Sequence, residues 1–214
     1  MARVGLRSPI YHRGMTFSLK TDHEQSLAAM VTESDELMAA LRVVRSLGLR
    51  SWCIGAGAIR SLVWDTLHEF DQRSAVEDMD VVYFDAKAAP EQDAELENRL
   101  HLAMPGFRWE VTNQAGVHRW FSAALGRVVP PLASLEEGVA TWPEFATCVG
   151  VYLNEDDSLG IVAPHGLDDL FELRVRHNPL RASAATYRER VAAKRFGERW
   201  PRLSIDTASA QNAA

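Results

Sequence analysis

Residues 79–84, Met-Asp-Val-Val-Tyr-Phe, constrain the fold more than any other stretch of this 214-residue chain. A continuous apolar run of this kind suits a strand covered on both faces, and so predicts an interior position in a sheet with helices packed against it. Two carboxylates stand at its entrance, Asp78 and Asp80. In a strand, residues two apart point to the same side, so these acids lie side by side next to a buried run. Like charges this close are costly unless a cation lies between them. Hard oxygen donors of this sort suit Mg²⁺ or Mn²⁺. The competing reading is a solvated strand entrance, with Glu77 in the same acidic turn.

Two further features stand in order around this strand. Gly55-Ala56-Gly57 follows the short apolar run Ser51-Trp52-Cys53-Ile54 and opens a predicted helix over 58–68, with Ile59, Leu62, Val63 and Leu67 on its buried side. A helix that begins this way presents unpaired N–H groups and a partial positive charge, which together favour a phosphate. Gly57 lets a ligand approach the backbone, and Arg60 in the first turn reaches toward an anion or an acidic neighbour. A tight strand–helix connection of small residues explains the glycines equally well. Glu110, between Trp109 and Val111, lies on a predicted strand over 107–111. Beside the Asp78–Asp80 strand it becomes a third carboxylate, and such a set can hold two metal ions about 3.5–4 Å apart. At an edge it simply faces water.

The remaining pattern predicts helices over 22–47, 90–103, 114–121, 135–142, 166–175 and 184–200. Leu37, Leu41 and Val44 give the first its apolar stripe, Ser34 offers a cap and Gly48 a stop. Residues 147–153 and 159–162 read as strands joined by the acidic turn 154–157, and 124–134 as a loop through Pro130-Pro131. Strands and helices alternate early, and then two adjacent strands break the rhythm. The expected class is α+β (α/β-like), a mixed central sheet flanked by helices. One domain is expected over 21–205, with 1–20 an extension, Met15 an alternative start, and 206–214 a disordered tail.

Net charge is -6 and the isoelectric point is near 5.7, which argues against general nucleic-acid binding by the whole surface. Arginines gather between 174 and 202. Arg188, Arg190, Lys194, Arg195 and Arg199 read most simply as a solvated helix face, with a phosphate-contacting face as the alternative. Trp200, Tyr187, Val191 and Phe196 read as core, His165 as a turn residue, and Asp168 and Asp169 as acids at a helix start. Cys53 and Cys148 sit in apolar runs and form no Cys-x-x-Cys pair, which fits buried thiols in a reducing cytosol. No stretch is apolar and long enough to cross a bilayer, and no secretory signal is visible; a cytoplasmic protein is expected.

A strand, a small-residue turn into a helix, Asp-x-Asp on a strand and a later strand carboxylate together resemble the DNA polymerase β-like nucleotidyltransferase superfamily. Ala56-Gly57-Ala58-Ile59-Arg60 looks like the Gly-Gly-Ala-Val-Arg motif of the CCA-adding enzymes in it. More closely, the chain resembles a bacterial family of nucleotidyltransferase-like proteins without an assigned substrate. The matching stretches run from Gly55–Arg60 and Val63-Trp64-Asp65 through Asp78–Asp85, Trp109–Gln114 with His118, and Trp142-Pro143-Glu144 with Val149-Gly150-Val151. They end with Ala163–Phe171, Lys194-Arg195 and Trp200-Pro201, so the resemblance spans about residues 35–203. Two departures are Ala56 in place of the usual first glycine and an apparent insertion over 70–77.

The resemblance implies a polymerase β-like core in which Asp78 and Asp80 bridge two Mg²⁺ ions and Glu110 completes one site. The donor is a nucleoside triphosphate, attacked at its α-phosphate by an acceptor hydroxyl. Gly55, Gly57, Ala58 and Arg60 would serve the phosphates, and Asn113 and His118 the base or acceptor. The acceptor stays open among a small molecule, a protein and an RNA end. A non-catalytic nucleotide-sensing or partner-binding module on the same fold is the first alternative. The second is a dinucleotide-binding oxidoreductase using Gly55-x-Gly57 and Asp85; Arg60 then stands where that fingerprint needs a small residue.

Overall fold

The computed structural model describes residues 19–76, 78–119 and 128–207. The expected extension up to residue 18, the tail from 208, Glu77, and the parts of the 114–121 helix and the 124–134 loop that fall in 120–127 lie outside the described residues.

Five strands form a mixed sheet in the order β3-β2-β1-β4-β5: β1 Trp52–Gly55, β2 Asp78–Tyr83, β3 Arg108–Asn113, β4 Gly150–Leu153 and β5 Leu159–Val162. β2 and β3 run parallel, while β1 pairs antiparallel with both β2 and β4, and β4 with β5. This is the expected α+β class. The antiparallel β1–β2 pairing rules out the parallel β–α–β crossover that a dinucleotide-binding unit needs, so the oxidoreductase alternative falls. β1 is the middle strand and buries all four of its residues; β2 lies next to it.

Strand alternation sorts β2 and β3 into two chemistries. Met79, Val81, Tyr83, Trp109 and Val111 enter the main core. Asp78, Asp80, Val82, Glu110 and Thr112 look into a cavity on the other side. The core is closed by α1 (Leu19–Thr32), α2 (Asp35–Arg45), α3 (Gly57–Leu67) and α4 (Gln92–Ala103). The 22–47 helix divides at Ser34, whose hydroxyl accepts from Leu37 N and so caps α2; such a cap contributes about 1 kcal/mol. Leu96 and Leu100 of α4 point inward as expected. Trp64 of α3 is fully buried, and its indole N–H donates to Leu170 O at 3.0 Å.

Three expected helices are shorter than their patterns: 135–142 ends at Val139 (α5, Leu135–Val139), 166–175 gives only α6 (Asp168–Phe171), and 184–200 is divided. The 166–175 helix stops after one turn. Leu173 takes a positive φ of 57°, and Arg174-Val175 (β6) then pairs in parallel with Ser204-Ile205 (β7). Buried Asp169 holds this turn through ion pairs to Arg174 and Arg176. The 184–200 helix breaks at Arg195, which is left-handed (φ 51°, ψ 43°), into α7 (Ala184–Lys194) and α8 (Phe196–Arg199). The break turns Phe196 and Trp200 into the core, where the Trp64 and Trp200 rings meet edge to face at 5.1 Å. Hydrophobic burial of these two large rings outweighs the strain of one left-handed residue. Asp206 N donates to Val175 O, so the chain remains tied down to that point. No described helix is long and apolar enough to cross a membrane.

Candidate active site

The parallel register sets Asp80 directly beside Glu110 and Asp78 beside Arg108. The three carboxylates expected to act together therefore do share one face of two neighbouring strands. Asp80 is the most strained of them: burial, and then Glu110 and Asp78, push its carboxyl up to about 6, against the pull of Lys194 and Arg190. Arg108 answers part of this charge. Its Nη2 lies 2.6 Å from Asp78 Oδ1 and 2.7 Å from Glu110 Oε1. The Asp78 contact is an ion pair without hydrogen-bond alignment, and Oδ1 is buried with no hydrogen-bond donor.

Among the described residues no group of three His, Cys, Asp or Glu side chains stands arranged to hold a metal ion. The Arg108 guanidinium lies between two of the three carboxylates. The donor set itself fits a hard divalent cation: all-oxygen ligands, an Asp80 carboxylate whose charge is disfavoured by burial and by its acidic neighbours, and an orphaned buried Asp78 oxygen.

The glycine turn closes over the same place. A Cβ added to Gly57 would stand 3.7 Å from Arg60 Nη2 and 4.0 Å from Asp80 Oδ2. The start of α3, the Arg60 guanidinium and the Asp80 carboxylate thus face one space. Ala56, immediately before, sits at φ 48°, ψ -114°, backbone that glycine adopts readily and alanine does not. Arg60 is 4% exposed and lies over three rings, 5.5 Å from Trp64, 4.9 Å from Phe196 and 5.6 Å from Trp200. Its Nε has no hydrogen-bond partner. Burial draws its pKa down to about 10, which still leaves it charged at neutral pH.

These groups line one cavity of about 590 Å³. The wall opposite the sheet carries Arg190, Lys194 and Arg199. Glu144, fully buried, holds Arg190 in place: Arg190 Nε donates to Glu144 Oε1 at 2.9 Å, and Thr147 Oγ1 donates to Oε2 at 3.0 Å. Buried Asp65 fixes two other edges, accepting from Ser74 N and Oγ and from Trp200 Nε1.

Of the residues singled out in the sequence, Asp78, Asp80, Glu110, Gly57 and Arg60 come together here. Four others stand elsewhere. Gly55 packs under the Trp142 ring, where a Cβ would meet Cη2 at 2.5 Å. Ala58 is buried in the core. The Asn113 amide is engaged with Asp85, donating to its carbonyl and accepting from its N–H. His118 lies off the cavity with Nδ1 donating to Ala115 O. The helix face expected to be solvated divides. Arg188 and Arg195 are exposed, and Arg195 pairs with Glu198, but Arg190, Lys194 and Arg199 face the carboxylates across the cavity. The i, i+4 spacing of Arg190 and Lys194 was the available signal, while Arg199 comes to the cavity only through the break at Arg195; a helix whose inward face meets a polar cavity carries charge on that face rather than leucine. Glu144, Gln114 and Trp142 also reach the site or its wall; all three fall in stretches that carry the family resemblance, but their residue types alone assign them no role.

The sequence matches the model of a nucleotidyltransferase family over residues 42–205, and the chain belongs to that family. It is similar to an NMR structure described as a CCA-adding enzyme head domain, at 28% identity and a TM-score of 0.72, covering 85% of this chain and 95% of the other. A CCA-adding enzyme in complex with CTP aligns at 14% identity and a TM-score of 0.52, over 86% of this chain and 43% of the enzyme. A Thermotoga maritima CCA-adding enzyme complexed with tRNA aligns at 14% identity and a TM-score of 0.53, over 87% and 43%. These two share the fold, and the chain spans less than half their length. No curated protein matches the chain significantly.

Proposed function

We propose that this protein transfers a nucleoside monophosphate from a nucleoside triphosphate to an acceptor hydroxyl, with a divalent cation, Mg²⁺ or Mn²⁺, held by Asp78, Asp80 and Glu110. The observation that carries this is the bipolar cavity: three carboxylates on the floor face Arg60, Arg190, Lys194 and Arg199 on the walls. A triphosphate with its cation needs both poles in one place. When bound, the cation supplies Lewis acidity to the α-phosphate and lowers the pKa of the attacking hydroxyl.

The chain's own residues do the rest. The start of α3 at Gly57 and the caged Arg60 guanidinium receive phosphate oxygens. Glu144 keeps Arg190 extended toward them. The acceptor oxygen forms its bond to the α-phosphorus as the bond to the β-phosphate oxygen breaks, and pyrophosphate leaves toward Lys194 and Arg199, where its growing charge is neutralised. The acceptor proton passes to water. The acceptor is a small molecule, a protein or an RNA end; the relatives seen with CTP and with tRNA are much longer chains.

One observation favours a second reading. Arg108 already neutralises two of the three carboxylates, as suits a nucleotide-sensing module that does no chemistry. Calorimetric titration of each nucleoside triphosphate, with and without Mg²⁺, into wild-type and Asp80→Ala protein tests the first reading. Binding that requires both Mg²⁺ and Asp80 is expected. Equal binding by the variant, or no dependence on the cation, would favour the sensing module.

A further inference from the structure

We propose that the far end of the same cavity is a nucleobase slot and that Gln114 selects the base, an inference that rests on the nucleotidyl-transfer reading above. The phosphate-binding groups gather where Asp78 and Asp80 enter the sheet. The cavity continues along the C-terminal ends of β2 and β3 to Val82, Thr112, Gln114 and Val117, with Thr141 and Trp142 beside them. Gln114 lies four residues beyond Glu110, about 13 Å along the strand direction. That is room for a nucleoside beyond an α-phosphate held at the carboxylates.

The chemistry of this end changes with position. Trp142 packs with Val82 in an apolar cluster, is half-buried and lines the cavity, which offers an aromatic side chain to a base. Gln114 is 4% exposed, and among the described residues its amide has no hydrogen-bond partner while opening on the cavity. A carboxamide presents one acceptor and two donors side by side, the pattern that pairs in two bonds with the edge of a base. The amide faces the open cavity, so a base edge can take the place of the water that meets it there.

The slot is built rather than incidental. A Cβ on Gly138 would stand 2.7 Å from both Cγ and Oε1 of Gln114, so glycine is what admits the side chain there. Gln114 N donates to Tyr83 O at 2.7 Å, fixing the backbone. Asn178 Nδ2 donates to Ala140 O and Trp142 O at 2.7 and 2.8 Å, fixing the segment that carries the ring.

The test is calorimetric titration of ATP, CTP, GTP, UTP and inorganic tripolyphosphate, all with Mg²⁺, into wild-type, Gln114→Ala and Gln114→Glu proteins. Wild type should bind its best nucleotide at least about tenfold tighter than its worst. Gln114→Ala should flatten that spread, and Gln114→Glu, which keeps the size but removes the donors, should reorder it. Tripolyphosphate should bind all three alike. Equal binding of four nucleotides by wild type, or an unchanged spread in Gln114→Ala, would overturn the slot while leaving nucleotidyl transfer intact. Failure of wild type to bind tripolyphosphate or any nucleotide would remove the transfer reading, and the slot with it.

Discussion

Replacing Asp80 with asparagine should stabilise the protein, and only above a certain pH. Asp80 stands at about 6 in the fold against 3.8 when unperturbed, because burial and two neighbouring carboxylates disfavour its charge. A rise of about two units corresponds to roughly 3 kcal/mol. Below about pH 4 the carboxyl is protonated in both folded and unfolded chains and contributes nothing. Between about pH 4 and 6 the folded chain keeps a proton that the unfolded chain has released, so unfolding free energy falls as pH rises. Above about pH 6 both states are ionised and the loss is complete. Asp80→Asn keeps the shape and removes this titration. The variant should match wild type near pH 4 and exceed it by up to about 3 kcal/mol at neutral pH, about 6–12 °C in midpoint for a domain of this size. Urea and thermal unfolding across this range, in the presence of a chelator, measure it. A stability difference that does not change with pH, or a variant less stable than wild type at neutral pH, would refute the electrostatic account of the site.

Other perturbations reach different links of the same structure. Adding Mn²⁺ should raise the wild-type unfolding midpoint and leave Asp80→Asn unmoved; equal shifts in both would place the cation elsewhere. Glu144→Ala leaves the half-exposed Arg190 guanidinium without its buried partner and should cost about 1.5–3 kcal/mol by urea denaturation, with weaker tripolyphosphate binding in the same protein; wild-type stability would show that the pair is not structural. Ala56→Gly relieves a backbone strain of about 1–3 kcal/mol against about 0.5–1 kcal/mol of added chain entropy, so the midpoint should rise slightly. A clear fall would mean that the φ of 48° at Ala56 is not strained.

The parts of the site written in strand periodicity were legible. Asp78, Asp80 and Glu110 could be placed together because a two-residue repeat fixes which face a side chain takes, and the only open question was whether β3 lay beside β2. The adjacent helix start was legible for the same reason, since a glycine turn after a buried strand has few ways to continue. What could not be read was the opposing wall. Arg190, Lys194 and Arg199 look like any arginine-rich surface until Arg195 breaks the helix, and nothing local forces that break. The demand comes from Trp64, Phe196 and Trp200, which need one another for burial although more than 130 residues separate the first from the last. Gly55 and Asn113 misled in the opposite direction: their residue types fit a ligand, but Trp142 and Asp85 engage them first.

The aromatic cluster explains why the same residues serve both stability and the site. Trp64, Phe196 and Trp200 complete the core, yet their faces also enclose the Arg60 guanidinium at 4.9 to 5.6 Å. Rings around a cation stabilise its charge without satisfying its N–H groups, so Arg60 remains cationic while its directional bonds stay unmade. A carboxylate partner in place of the rings would have satisfied those bonds and removed the attraction for a phosphate. Asp65, the acid that does reach this cluster, is committed to Ser74 and Trp200 instead. The fold thus places charge of both signs in one cavity and keeps the buried Arg60 guanidinium out of an ion pair with Asp80.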